Sequence, residues 1–226
     1  MDEIKLIEIK EDIQSDNAVV AEELRDRLRK SRTLMINLMS SPGSGKTSLL
    51  LRSIEALKNE LNIGVIEADI DSVVDSEKIA ETGVRNVQLR TGGFCHLDAS
   101  MVKKGLDGLD DPALDLIFIE NVGNLVCPAE FDTGAIQDAM ILSIPEGDDK
   151  PLKYPLMFTK ANVLIVNKID YITISDFAMD RLRGYVSRLN TDIEIFEVSC
   201  KTGEGVDQWV DWLRQSVSDF KQSPVR

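Results

Sequence analysis

One pattern repeats along most of the chain: a short run of consecutive apolar residues, then a stretch in which apolar positions recur every three or four residues. The β-branched or apolar runs fall at residues 33–39, 63–68, 87–90, 115–120, 138–143, 161–167 and 194–199, most with apolar residues at consecutive positions. Consecutive positions of a strand point to opposite faces, so unbroken apolar runs predict strands covered on both sides, the mark of a parallel sheet between helices. Helical spacing occupies 46–60, 73–83, 97–108, 173–190 and 205–222. The alternation predicts an α/β fold, a mainly parallel β-sheet flanked by helices. A further amphipathic helix is expected at 17–30, with Asp16 placed to cap it. The expected organisation is a helical appendage over 1–32 and a single domain over 33–226. Segment 145–154 (PEGDDKPLKY) is polar and contains two prolines, which predicts a surface loop between two neighbouring strands.

Composition narrows the partners more than the fold. With 26 basic and 39 acidic residues the net charge is −13, and no basic stripe interrupts it. Such a surface disfavours nucleic acid and anionic membrane as partners. The first residues (MDEIKLIEIKED) are acidic where a secretory signal is basic, and the apolar runs are too short to span a bilayer, so a cytoplasmic location is expected.

The first predicted strand leads into residues 40–47, SSPGSGKT, and then into a helix. This is the phosphate-loop pattern with only its first glycine replaced, by Ser40. Gly43 and Gly45 let the backbone curl until its N–H groups face inward, with Ser44 between them. Lys46 is placed to reach the β- and γ-phosphate oxygens. Thr47 offers a hydroxyl to Mg²⁺, Ser48 continues the turn, and the helix that begins here aims its positive end at the phosphates. The sixth strand ends in Asn167-Lys168-Ile169-Asp170, the N-K-x-D pattern that reads guanine. The Asp170 carboxylate is suited to accept from N1–H and the exocyclic amine of guanine, a donor pair that adenine lacks. Lys168 is expected along the ring and Asn167 between this loop and the phosphate loop. Ser199-Cys200-Lys201 follows the last strand, where a loop contacting guanine O6 belongs; Cys200 reads there as a small buried residue. The expected ligand is therefore GTP or GDP.

Acidic residues at strand ends suit a hard cation. Thr47, Asp69 and Glu120 are assigned to Mg²⁺, directly or through water. Lys46, Asp71 and Asp75 are the candidates for the hydrolytic step, the two aspartates as positioners of the attacking water. No glutamine follows residues 120–123, which predicts slow intrinsic hydrolysis. A cation supplied by a partner would raise it, with Lys150 or Lys153 the candidates across a homodimer and Lys153 a nucleotide contact.

The single histidine, His96, directly follows Cys95, and Cys127 lies just beyond the 120–123 segment. Thiolate and imidazole are suited to Zn²⁺ or Ni²⁺. Three soft ligands do not close a structural zinc site, so the centre is either completed across a dimer or left open for exchange.

Residues 37–47, 91–98 (TGGFCHLD), 120–128 (ENVGNLVCP) and 150–155 (KPLKYP) resemble the hydrogenase nickel-incorporation GTPases, the HypB family, and the likeness runs from about residue 17 to the C-terminus. The resemblance implies a SIMIBI-class P-loop GTPase that helps insert nickel during maturation of [NiFe]-hydrogenase. It implies a metal site of Cys95, His96 and Cys127 near a dimer interface, with dimerisation coupled to nucleotide and metal. It implies two partners besides a second copy: a maturation metallochaperone and the hydrogenase large subunit. The urease accessory GTPases share this architecture, and the Cys-His pair with the Cys-Pro segment favours the hydrogenase branch. A P-loop small-molecule kinase is opposed by Asn167–Asp170, and a passive metal store by the intact phosphate loop.

Overall fold

The computed structural model describes the backbone of residues 9–69 and 74–224, and side chains from residue 15 onward except at 69–76. In chain order the elements are α1 (Ile9–Ser31), β1 (Leu34–Ser40), α2 (Lys46–Leu57), β2 (Ile63–Asp69), α3 (Val74–Glu81), β3 (Arg85–Arg90), α4 (Ala99–Leu109), β4 (Leu116–Glu120) and α5 (Cys127–Glu130). Then follow β5 (Gln137–Ser143), α6 (Lys150–Lys153), α7 (Pro155–Lys160), β6 (Val163–Asn167), α8 (Met179–Leu189), β7 (Glu194–Glu197) and α9 (Val206–Gln222).

Among the described residues seven strands form one sheet in the order β3-β2-β4-β1-β5-β6-β7, and every neighbouring pair is parallel. Parallel strands need covering on both faces, and β1, β4 and β6 are buried at every residue. Alternation along β1 divides the core. Leu34, Ile36 and Leu38 face Leu49, Leu50, Ile54 and Leu57 of α2 and the apolar side of α9. Met35 faces the layer of α1 and α4, where Ala21, Leu24 and Leu28 at helical spacing are buried. Met39 faces the cluster under α7 and α8. Burying each such side chain stabilises by about 1.5–3 kcal/mol, so the long middle strands fix the phosphate loop on the stiffest part of the sheet.

Helix α9 grips α2 through a polar contact inside the apolar layer. The Trp209 Nε1–H donates to Ser53 Oγ at 2.9 Å, and Trp212 stacks on Trp209 with ring centres 5.1 Å apart. Arg25 of α1 donates to the Ala135 carbonyl (3.1 Å) and pairs with Asp132 (2.5 Å), tying that helix to the approach to β5.

Three expectations need correction. Asp16 does not cap a helix that begins at 17, because α1 already runs from Ile9 and Asp16 sits inside it. Segment 145–154 joins β5 to its neighbour β6 but is not a plain loop: it holds a 3₁₀ turn at Ile144–Glu146 and the short helix α6. Pro151 near the start of α6 costs no hydrogen bond there, because the first N–H groups of a helix have no partner within it. The helix expected from 173 starts at Met179, because Ile169–Ile174 forms a 3₁₀ helix and the buried Asp148 accepts the Ala178 N–H at 2.6 Å, holding the chain extended there.

Candidate functional site

The carboxyl ends of β1, β2 and β4 open on a cleft of about 560 Å³ whose lining includes Gly43, Gly45, Lys46, Thr47, Ser48 and Glu120. In an open parallel sheet this is where ligands bind, because the strand order reverses there. Gly45 has φ +105°, and a Cβ at that position would lie 2.3 Å from Asn167 Nδ2, so only glycine fits. The Asn167 amide donates to the Ser44 carbonyl at 2.9 Å and Lys168 Nζ to the Gly43 carbonyl at 2.6 Å, binding the end of β6 to the phosphate loop. Ser44 Oγ closes the turn on the Ser41 carbonyl at 2.9 Å. Lys46 Nζ donates to Ser40 Oγ at 3.1 Å, so the serine that replaces the first glycine supports the lysine.

Thr47 Oγ1 donates to Glu120 Oε1 at 2.6 Å, which brings two of the three assigned magnesium ligands together. Glu67, a further lining residue, is the register partner of Glu120 on the neighbouring strand and is buried like it. Two carboxylates and a hydroxyl are hard oxygen donors, so the donor set fits Mg²⁺. The side chains of Asp69, Asp71 and Asp75 lie outside the described residues. Sequence reasoning passed over Glu67, although a glutamate inside the apolar run 63–68 is itself a signal. It also passed over Lys78, which lines the same cleft.

A smaller adjoining pocket of about 230 Å³ is lined by Asn167, Lys168, Asp170, Cys200 and Lys201. Ser199 Oγ donates to Asp170 Oδ1 at 2.7 Å, orienting the carboxylate. The Asn167 Oδ1 accepts the Cys200 N–H at 3.2 Å, so one amide holds both the phosphate loop and the last loop. Burial pushes the Cys200 thiol up to about 11, which leaves it protonated. Arg52 of α2, which sequence reasoning missed, donates to the Cys200 carbonyl (3.0 Å) and the Lys201 carbonyl (3.4 Å) from outside. Lys153 does not line either pocket; it projects from α6 and pairs with Asp149 at 2.5 Å.

The thiol–imidazole set assembles as the sequence suggests. One ligand atom from each of Cys95, His96 and Cys127 lies within 4.8 Å of the others. The two sulfurs are 2.9 Å apart, beyond the ~2.05 Å of a disulfide bond, and share a hydrogen bond. That hydrogen bond, then burial, raises the Cys127 pKa. Burial pulls the His96 imidazole below its usual range, against the nearby Asp98 and Glu130, and so favours the neutral form that binds metal. The ring stacks on Phe131 at 3.8 Å, which fixes its plane. Asn124 Oδ1 accepts from the Val126 N–H (2.7 Å) and the Cys127 N–H (3.3 Å), setting the turn that presents Cys127 at the start of α5. Two soft sulfurs and a neutral nitrogen fit Zn²⁺ or Ni²⁺.

Residues 34–197 match the family described as "CobW/HypB/UreG, nucleotide-binding domain". The chain is 46% identical over 211 residues to "Hydrogenase maturation factor HypB" of Azotobacter vinelandii, covering 93% of this chain and 70% of that one. It belongs to the HypB family. Two solved members share the fold: "HypB from Helicobacter pylori in complex with nickel", at 35% identity and a TM-score of 0.85 over 92% of this chain and 98% of that one; and HypB from Archaeoglobus fulgidus, at 36% identity and 0.84 over 90% and 99%. In this HypB-family member the phosphate loop follows β1 and Cys127 follows the neighbouring β4, whereas Cys95 and His96 follow the edge strand β3.

Proposed function

We propose that this chain is a GTP-hydrolysing metallochaperone that assists nickel insertion during [NiFe]-hydrogenase maturation, with nucleotide state coupled to dimerisation and metal release. One observation carries the reading. β4 ends in Glu120, bonded to Thr47 in the phosphate cleft, and the chain reaches the metal ligand Cys127 seven residues later. A change at the phosphates thus has a short covalent route to the cargo.

Gly43, Ser44, Gly45 and Lys46 would cradle the phosphates and Thr47, Asp69 and Glu120 would hold Mg²⁺, which neutralises charge developing on the transferred phosphoryl group. Asn167, Lys168, Asp170 and Ser199–Lys201 would select guanine. Asp71 and Asp75 are the residues proposed to orient water, and Lys153 is placed on an exposed face where a second copy could use it. Cys95, His96 and Cys127 would carry Ni²⁺ or Zn²⁺ as cargo. The partners proposed are a second copy, a maturation metallochaperone and the hydrogenase large subunit, in the cytoplasm; among the described residues no helix is long and apolar enough to cross a membrane.

The test is metal stoichiometry and molar mass, measured together with GDP and with a non-hydrolysable GTP analogue, beside GTP turnover. Guanine-specific turnover, with one metal per chain and a mass that doubles in one nucleotide state, supports the reading. Turnover of ATP as fast as GTP, or metal binding that survives loss of Cys95 and Cys127, overturns it.

A further inference from the structure

Consecutive residues at the end of β4 face opposite ways, and here they face different chemistry. Glu120 turns to Thr47 in the phosphate cleft. Asn121 turns inward, almost fully buried, with both ends of its amide engaged. Its Oδ1 accepts the Val122 N–H at 2.9 Å and the Leu97 N–H at 3.3 Å. Its Nδ2 donates to Asn37 Oδ1 at 3.0 Å, and Asn37 Nδ2 donates to Asp138 Oδ1 at 2.8 Å. A line of buried amides therefore anchors Asn121 to β1 and β5 while its oxygen holds the residue next to His96.

The surroundings make that bond a link. Downstream of His96 the chain is pinned at three successive odd positions: Leu97 N–H to Asn121, Ala99 N–H to Asn17 Oδ1 (2.8 Å) and Met101 N–H to Asp98 Oδ1 (2.7 Å). Of these three acceptors only Asn121 belongs to the phosphate side. On that side Gly123 is pressed against the phosphate loop, where a Cβ would lie 3.0 Å from Pro42. Residues 121–123 are thus wedged between the loop that holds phosphate and the loop that presents Cys95 and His96.

We infer that Asn121 is a positioning residue that carries the state of the phosphate cleft to the Cys95–His96 loop through the Leu97 amide. This rests on the metal-delivery reading and adds to it a side-chain route to two of the three ligands; the third, Cys127, is reached along the chain. If nucleotide shifts residues 121–123, either Leu97 follows or its buried N–H loses the Asn121 acceptor. Leaving such a group unpaired is costly enough to change a binding constant by roughly tenfold.

The experiment measures Zn²⁺ and Ni²⁺ dissociation constants of the full chain at saturating GDP and at saturating non-hydrolysable GTP analogue. It compares the natural sequence with Asn121→Ala and Asn121→Asp. The natural chain is expected to show about a tenfold ratio between the two nucleotide states. Asn121→Ala should bring that ratio close to one. Asn121→Asp keeps an acceptor for Leu97, and Asn37 can turn its amide to donate to it at the expense of its bond to Asp138, so most of the ratio should return. Should Asn121→Ala not fold, amide hydrogen exchange at Leu97 in the natural chain decides: its protection should change several-fold between nucleotide states, and an unchanged rate overturns the inference. A natural chain with equal metal affinity in both states overturns the metal-delivery reading and this inference with it. A ratio that survives intact in Asn121→Ala overturns this inference alone.

Discussion

Asn167 and Gly45 occupy one another's space: the Asn167 amide crosses to the Ser44 carbonyl through the volume that a Cβ on residue 45 would fill. The guanine loop and the phosphate loop are thereby one unit. Gly45→Ala is expected to lower GDP affinity at least a hundredfold. It must displace Asn167 and also hold alanine at φ +105°, a backbone strain of about 1–3 kcal/mol. Titration with a fluorescent GDP analogue measures this; affinity within fivefold of the natural chain contradicts the proposed interlock.

Arg52 supports the last loop from the far side of α2, through the carbonyls of Cys200 and Lys201. Removing it frees the loop proposed to contact the base. Arg52→Ala should release GDP about tenfold faster, on the scale of losing one or two charge-assisted hydrogen bonds. Lysine cannot reproduce the planar fork, so Arg52→Lys should recover little of the loss. Stopped-flow release rates separate these outcomes.

Metal uptake should release protons. Cys127 is held protonated by its bond with Cys95 and by burial, whereas His96 is biased to the neutral form. At pH 7.5 the thiol side of the triad accounts for the released protons and His96 for none. Calorimetry in buffers of different ionisation enthalpy gives the number directly. His96→Ala should weaken Zn²⁺ and Ni²⁺ binding while leaving that number unchanged, and a fall by one proton would reverse the assignment of His96.

Asp138 gives a pH-dependent stability. Desolvation, partly offset by the Asn37 hydrogen bond, raises its carboxyl to about 6, although part of the residue meets solvent. The folded state holds this proton more tightly than the unfolded chain, whose value is near 3.8. The favourable contribution is therefore complete below pH 3.8 and lost as pH rises to about 6. Above that, the ionised group costs on the order of 3 kcal/mol. Asp138→Asn keeps an acceptor for Asn37 and should raise stability at pH 7.5 by about 1–3 kcal/mol, with little change at pH 4. Urea unfolding at the two pH values checks the sign.

The strands were legible because most are runs of apolar residues, buried on both faces throughout β1, β4 and β6, a pattern that survives without knowledge of neighbours; the edge strands β3 and β7 are only half-buried. The phosphate and guanine motifs were legible for a related reason: their chemistry is local, four to eight residues in fixed order. What stayed hidden depends on contacts between distant segments. Glu67 becomes meaningful only when β2 pairs with β4 and sets it beside Glu120. Arg52 looks like an ordinary exposed residue of a helix until the Cys200 loop folds onto it. Asn121 reads as one polar residue among several until Leu97 and Asn37 close on it. Helices α5, α6 and α7 are four to six residues long, too short for a periodic pattern to declare itself.

The contact of Trp209 with Ser53 has a practical consequence. The chain has only two tryptophans, stacked on one another, and the buried one is bonded to the helix that begins at the phosphate loop. Ultraviolet emission and the near-ultraviolet dichroism of the stacked pair therefore report on how α9 seats against α2. A ligand in the phosphate cleft that shifts α2 is expected to change this emission in the unlabelled protein.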